Sequence, residues 1–180
     1  MMRSYHFARW AVAMLLAGAL LSGCATTRSE VNDGDLVVAS YTAADQLVAG
    51  APWLLTESQP VLVASLANIN ALENSSAFGR IASEQLSSRL AQKGLTVIEM
   101  KMRKNVFIEN DSGEFVLSRQ VRDLSRAHNA TAVLAGTYAV GRDTVFVNTR
   151  LIRVLDGVVL ASYDYTLPIG PNTRSLLVTQ

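Results

Sequence analysis

The chain has 180 residues and a formal net charge of +1, with 16 Lys and Arg against 15 Asp and Glu. That balance lacks the basic footprint of a nucleic-acid binder and gives no strong pull toward anionic lipid. One cysteine and two histidines exclude an internal disulfide and leave no cluster of metal-ligating residues at a familiar spacing. The length suits a single domain with one globular core.

Residues 1 to 10 carry Arg3 and Arg9 and no acid, and Ala11 to Leu21 is an unbroken apolar or small run. A positive start, a short apolar core and small residues before a cut site are the features of an export signal. The run falls short of the roughly 20 residues of a permanent membrane span. Leu21-Ser22-Gly23-Cys24 follows directly. These four residues resemble the lipobox of bacterial lipoprotein precursors. The resemblance implies cleavage between Gly23 and Cys24, a diacylglycerol on the Cys24 sulfur and an acyl group on the new amino terminus. Each buried CH₂ of acyl chain is worth about 0.8 kcal/mol, so such an anchor holds a soluble domain on a membrane. The residue after the cysteine is Ala25 rather than Asp, which by the same resemblance sends the protein to the outer membrane. Removing residues 1–23 takes away Arg3, Arg9 and His6 and no acid, so the charge falls from +1 to −1.

Residues 24–34 read as a polar tether after the lipidated cysteine. Its ten residues beyond Cys24 reach at most ~35 Å. Asp33 or Asp35 caps a following helix with Val37, Tyr41, Ala44 and Val48 on one face, closed by Gly50, Pro52 and Pro60. Residues 61–69, VLVASLANI, suit a strand buried on both faces. Ser75 or Ser76 caps a helix whose stripe is Phe78, Ile81, Ala82, Leu86 and Leu90, and Gly94 ends it. A strand over 95–101 completes a βαβ unit with parallel strands. Around Asn110, Asp111 and Gly113 the pattern allows a small hairpin or an ordered loop. Ser118 caps a helix over 119–128 with Val121, Leu124 and Ala127 inward. Three strands follow. In the middle one Val145, Val147, Thr149 and Leu151 face one way, and Phe146, Asn148 and Arg150 the other. Asp156-Gly157 reads as a two-residue hairpin turn. Residues 169–180 show no period and read as a flexible tail. The fold class is therefore α/β in a mixed α+β arrangement. Its order is β-α-β-α-β-β-β, preceded by one helix, with helices packed on a mixed sheet.

No catalytic set emerges. His128 near a helix end favours that end by charge. Ser118-Arg119 has no strained nucleophile turn around it, and a cap explains the serine. The loop Glu109 to Gly113 lacks the ligand spacing of a calcium loop. Lys101, Arg103 and Lys104 suit a solvated strand edge. Sequon-like Asn74, Asn110 and Asn129 carry no meaning in a bacterial lipoprotein. Asn148 and Arg150 are the weak candidates for partner binding. Arg150 pairs across strands with an acid, or holds a partner carboxylate, or is a solvated face residue.

Phe115 to Arg119, Gly136-Thr137-Tyr138 and Val147 to Leu151 are a pattern of segments spread over the second half. With the lipobox, they resemble the FlgO-domain family of bacterial outer-membrane lipoproteins over about residues 35–168. The resemblance implies a small α/β module of the type seen in the TolB amino terminus. It implies a non-catalytic lipoprotein at the periplasmic face of the outer membrane, with no cofactor beyond the covalent lipid on Cys24. Its partners would be proteins there, flagellar basal-body or sheath components among them. A rival reading is a lipoprotein that regulates a cell-wall synthase, against which the short tether counts. A periplasmic enzyme is the third.

Overall fold

The computed structural model describes residues 31–72, 76–100, 107–109 and 115–178. Within them, no helix is long and apolar enough to cross a membrane.

Asp35 starts the first helix, α1 (Leu36–Gly50), by accepting from the Val38 amide at 3.0 Å. That satisfies one of the donors a helix N-terminus leaves open. The buried stripe is Ser40, Ala43, Ala44, Leu47 and Val48. Val37 lies 45% exposed and Tyr41 half-buried, so the expected stripe is rotated toward the small residues, which let the helix lie close on the sheet. A single 3-10 turn over Pro52–Leu55 follows.

The apolar run after Pro60 is two strands, not one: β1 (Val61–Ala64), wholly buried, and β2 (Ala67–Asn68). Between them Leu66 donates its amide to the Gly79 carbonyl at 3.3 Å, so the chain leaves the ladder to meet a helix. That helix is α2 (Ala77–Gln92), capped by Ser76, with Phe78, Ala82, Leu86 and Leu90 buried. Gly79 lies on the contact: a Cβ there would stand 2.2 Å from the Leu66 carbonyl oxygen. β3 (Val97–Met100) then pairs parallel with β1, completing the βαβ unit. The hairpin reading of the next stretch holds, as β4 (Phe107–Glu109) pairs antiparallel with β5 (Phe115–Leu117) in a separate two-stranded sheet.

Ser118 caps α3 (Arg119–Ala127). Val121 and Ser125 are buried, Leu124 is half-buried, and Ala127 is exposed rather than inward. The Ser125 hydroxyl donates to the Val121 carbonyl at 2.7 Å, so a serine fits inside. β6 (Ala132–Val140), β7 (Thr144–Arg153) and β8 (Val159–Pro168) form an antiparallel meander. β6 also runs parallel to β1, which gives the mixed order β3-β1-β6-β7-β8 with β2 beside β6. The connection after β7 spans Val154 to Val158, longer than the two-residue turn expected at Asp156-Gly157.

The C-terminal segment is not a flexible tail. Ile169 is buried and Pro171–Leu177 forms α4. Its cap comes from far away: the Asp33 carboxylate accepts the Asn172 amide at 2.9 Å and the Thr173 amide at 2.8 Å. Gly34 packs on Leu167 and Pro168. The domain therefore begins inside the segment read as tether.

Helices α1, α2 and α4 cover one face of the sheet over the larger core, which holds Leu47, Phe78, Leu86, Leu134, Tyr138 and Leu151. Each fully buried Leu or Phe contributes about 1.5–3 kcal/mol relative to exposure. Arg89 of α2 clasps Asp45 of α1 through two bonds of 2.9 and 2.8 Å, and its guanidinium lies 5.4 Å over the Tyr41 ring. On the other face α3 packs over a smaller core of Leu62, Met100, Val121 and Val133, which Ile152 at the end of β7 joins. Among the described residues no helix lies over the rest of β7 and β8 on that face.

Candidate functional site

Strand alternation puts every second residue of the meander on this face, where Val133, Ala135 and Ile152 are buried in the smaller core and the rest of β7 and β8 lies open. The register makes three cross-strand rows: Ala139, Phe146 and Thr166; Thr137, Asn148 and Asp164; Ala135, Arg150 and Ser162. Ile69, just past β2, joins the first two rows at the rim of a groove of about 460 Å³. Phe146 is 54% exposed and Ile69 41%, an aromatic ring and an aliphatic chain left in water beside polar neighbours.

Asn148 donates its side-chain amide to Oδ1 of Asp164, its register partner. The other carboxylate oxygen has no partner among the described residues. Arg150, expected to pair with an acid across the strands, does not: Ala135 and Ser162 stand opposite it. It makes no ion pair among the described residues, so the acid on this face belongs to Asn148 and the guanidinium stays free. The face thus offers a hydrogen-bonded carboxylate, a free cation and an apolar slot.

The covered face explains the family-like segments in structural terms. The Tyr138 hydroxyl donates to Ser76 Oγ at 2.6 Å, which in turn accepts the Gly79 amide at 3.2 Å. The Tyr138 ring meets Phe78 edge-on at 5.2 Å between centroids. Gly136 lets β7 approach: a Cβ there would lie 2.2 Å from the Asn148 carbonyl oxygen. Thr149, buried in β7, donates its hydroxyl to the Tyr163 carbonyl at 2.7 Å. Burial against α1 pushes the Tyr165 phenol up, and the Ser40 hydroxyl beside it offsets part of the shift.

The remaining sequence candidates lie apart from this face. His128 is the exposed C-cap of α3, and Ser118 Oγ accepts the Val121 amide at 3.4 Å as its N-cap. Arg119 is exposed on the first turn of α3, and Asn129 follows the helix in a left-handed conformation with φ 54°. Glu109 ends β4. Gly23, Cys24, Asn74, Lys101, Arg103, Lys104 and residues 110–114 lie outside the described residues. Among the described residues no group of three His, Cys, Asp or Glu could hold a metal ion. Sequence reasoning missed Ile69, Phe146 and Asp164 as site residues. The available signal was the alternation Ser162, Asp164, Thr166 along β8, with Asp164 its only charge.

Residues 41–172 match the family described as FlgO protein. Among curated protein sequences there is no match. The fold is similar to the LpoB C-terminal domain from Salmonella enterica, with a TM-score of 0.45 at 18% identity, covering 71% of this chain and 96% of that one. LpoB of E. coli gives 0.47 at 16% identity, over 79% and 71%. A PelC dodecamer from Paraburkholderia phytofirmans gives 0.42 at 21% identity, over 62% and 72%.

Proposed function

The chain belongs to the FlgO protein family, and from that premise we propose an accessory lipoprotein of the bacterial envelope that works by binding. Lipid on Cys24 holds it at the periplasmic face of the outer membrane. By the resemblance of its sequence, what it holds there is a flagellar assembly. The observation that carries the binding role is the uncovered half of the sheet. Phe146 and Ile69 are among the large apolar side chains that the domain leaves in water, and these two share one groove with Asn148 and Asp164. Exposed apolar surface rimmed by polar groups is what docking surfaces present.

The anchor sets the mechanism. Asp33 and Gly34 are packed on the domain, so the tether proposed from Cys24 ends at about residue 32. Nine extended residues reach ~30 Å. A partner near the membrane then meets the face at high effective concentration, and modest contacts suffice.

A Cys24→Ala comparison tests this. Membranes are fractionated, radioactive palmitate is offered, and swimming is scored in the same strains. Expected is label in the outer membrane for the wild type, none for the variant, and a parallel loss of swimming. Label with swimming untouched by deletion would remove the flagellar role and turn attention to wall synthesis. Absence of label would remove the anchor.

A further inference from the structure

Among the described residues β8 pairs with β7 alone, so Val159–Pro168 is an edge strand whose outer amides and carbonyls have no strand partner. Edge strands ordinarily carry devices against pairing: short length, lysines, internal prolines or bulges. β8 is ten residues long and has no lysine, and its proline is its last residue. Its one register shift lies near Leu151, and from Ala161 to Pro168 the pairing with β7 is continuous. The helices lie across one face of this strand, with Gly50 of α1 against Ala161.

We infer that the β8 edge takes an added strand from a protein partner, and that this segment sets a Lys or Arg opposite Asp164. The inference rests on the binding role proposed above and names the chemistry of the partner. Strand addition satisfies the outer backbone groups, and side chains of alternate residues supply selection. Asp164 is the only charge on β8. Asn148 fixes one of its oxygens and leaves the other for a donor. Cross-strand partners directly opposite stand about 4.5–5.5 Å apart at Cβ, within reach of a charge pair. A second copy of this chain fits poorly on the same edge. Two β8 strands side by side bring two carboxylates together with no cation on either strand, and like charges across a pair repel.

The test uses the lipidated protein in detergent micelles, ¹⁵N-labelled, titrated with the acetylated nonapeptide TVTVKVTVT-amide and with the same peptide carrying Glu for Lys. Expected are amide shifts running along Ala161 to Leu167, with the Lys peptide bound roughly tenfold more tightly. That is the fold-change for exchanging a favourable cross-strand pair for a repulsive one. Asp164→Asn should erase the preference and Asp164→Lys reverse it, with the rest of the spectrum unchanged. Equal affinities, shifts away from β8, or concentration-dependent dimers through β8 would each overturn the inference. The Cys24→Ala result does not depend on any of these outcomes, so the broader role stands or falls separately.

Discussion

The two faces of the β6–β7–β8 meander are made from alternate residues of the same three strands, and they do opposite things. One face holds Tyr138, Val147, Leu151 and Leu167 against helices α1 and α2, all within a few percent of full burial. The other holds Phe146, Asn148, Arg150 and Asp164, with no helix above them among the described residues. The segments that mark the family cross between these faces residue by residue. Gly136 and Tyr138 serve packing, while Asn148 and Arg150, inside the same short segment as Val147 and Leu151, look into solvent. A shared motif therefore carries two messages, and only the outward half concerns partners.

Substitutions separate the two. Leu151→Ala, in the fully buried row, should cost about 2–5 kcal/mol of unfolding free energy, since it removes apolar contacts and leaves a cavity. A urea midpoint shift measures it. Gly136→Ala should cost about 1–3 kcal/mol, because β7 has to move away from the new methyl. The same titration measures it, and an unchanged midpoint would mean the strands have slack here. Tyr138→Phe should cost about 1 kcal/mol, the worth of one buried hydroxyl bond to Ser76.

Acid gives a smaller and more localised effect. The Thr173 amide, joined by that of Asn172, holds the Asp33 carboxyl below its usual value of 3.8, against an opposing desolvation. The Arg89 guanidinium does the same for Asp45, aided by Lys93. Because both pKa values are lower folded than unfolded, the stabilisation is present above the unfolded value. It is lost as pH falls below 3.8 through the folded values. Melting temperature should therefore drop below about pH 4, and less steeply in Asp33→Asn and Asp45→Asn. Identical slopes in all three proteins would deny these carboxylates a part in acid sensitivity. Smallest of all, Arg150→Ala and Phe146→Ser should change stability by no more than about 0.5 kcal/mol, because both side chains are exposed.

The order of elements and the alternation in β7 were legible because both depend on local pattern. So were the caps at Asp35, Ser76 and Ser118, each of which bonds an amide three residues on. Helix α4 was not, because its cap is Asp33, 139 residues from the Asn172 amide it accepts. The break between β1 and β2 was hidden for a similar reason: it depends on Gly79 arriving from another element. Asp164 was lost through register. A two-residue turn at Asp156-Gly157 would set Asn148 opposite Tyr165, whereas the longer connection and the shift near Leu151 set it opposite Asp164. A one-residue slip exchanges the faces of a strand, so the candidate site stayed invisible while the strands themselves were found.

The central claim is that the uncovered face works while the covered face folds. The most direct measurement is swimming of the native host carrying Asp164→Lys together with Phe146→Ser, scored beside a deletion strain. Outer-membrane level and melting temperature of the variant are measured alongside. The account predicts a folded protein at normal level in the outer membrane and swimming reduced to that of the deletion. Wild-type swimming from this variant, in a host where deletion stops it, would contradict the account and move the working surface elsewhere on the domain.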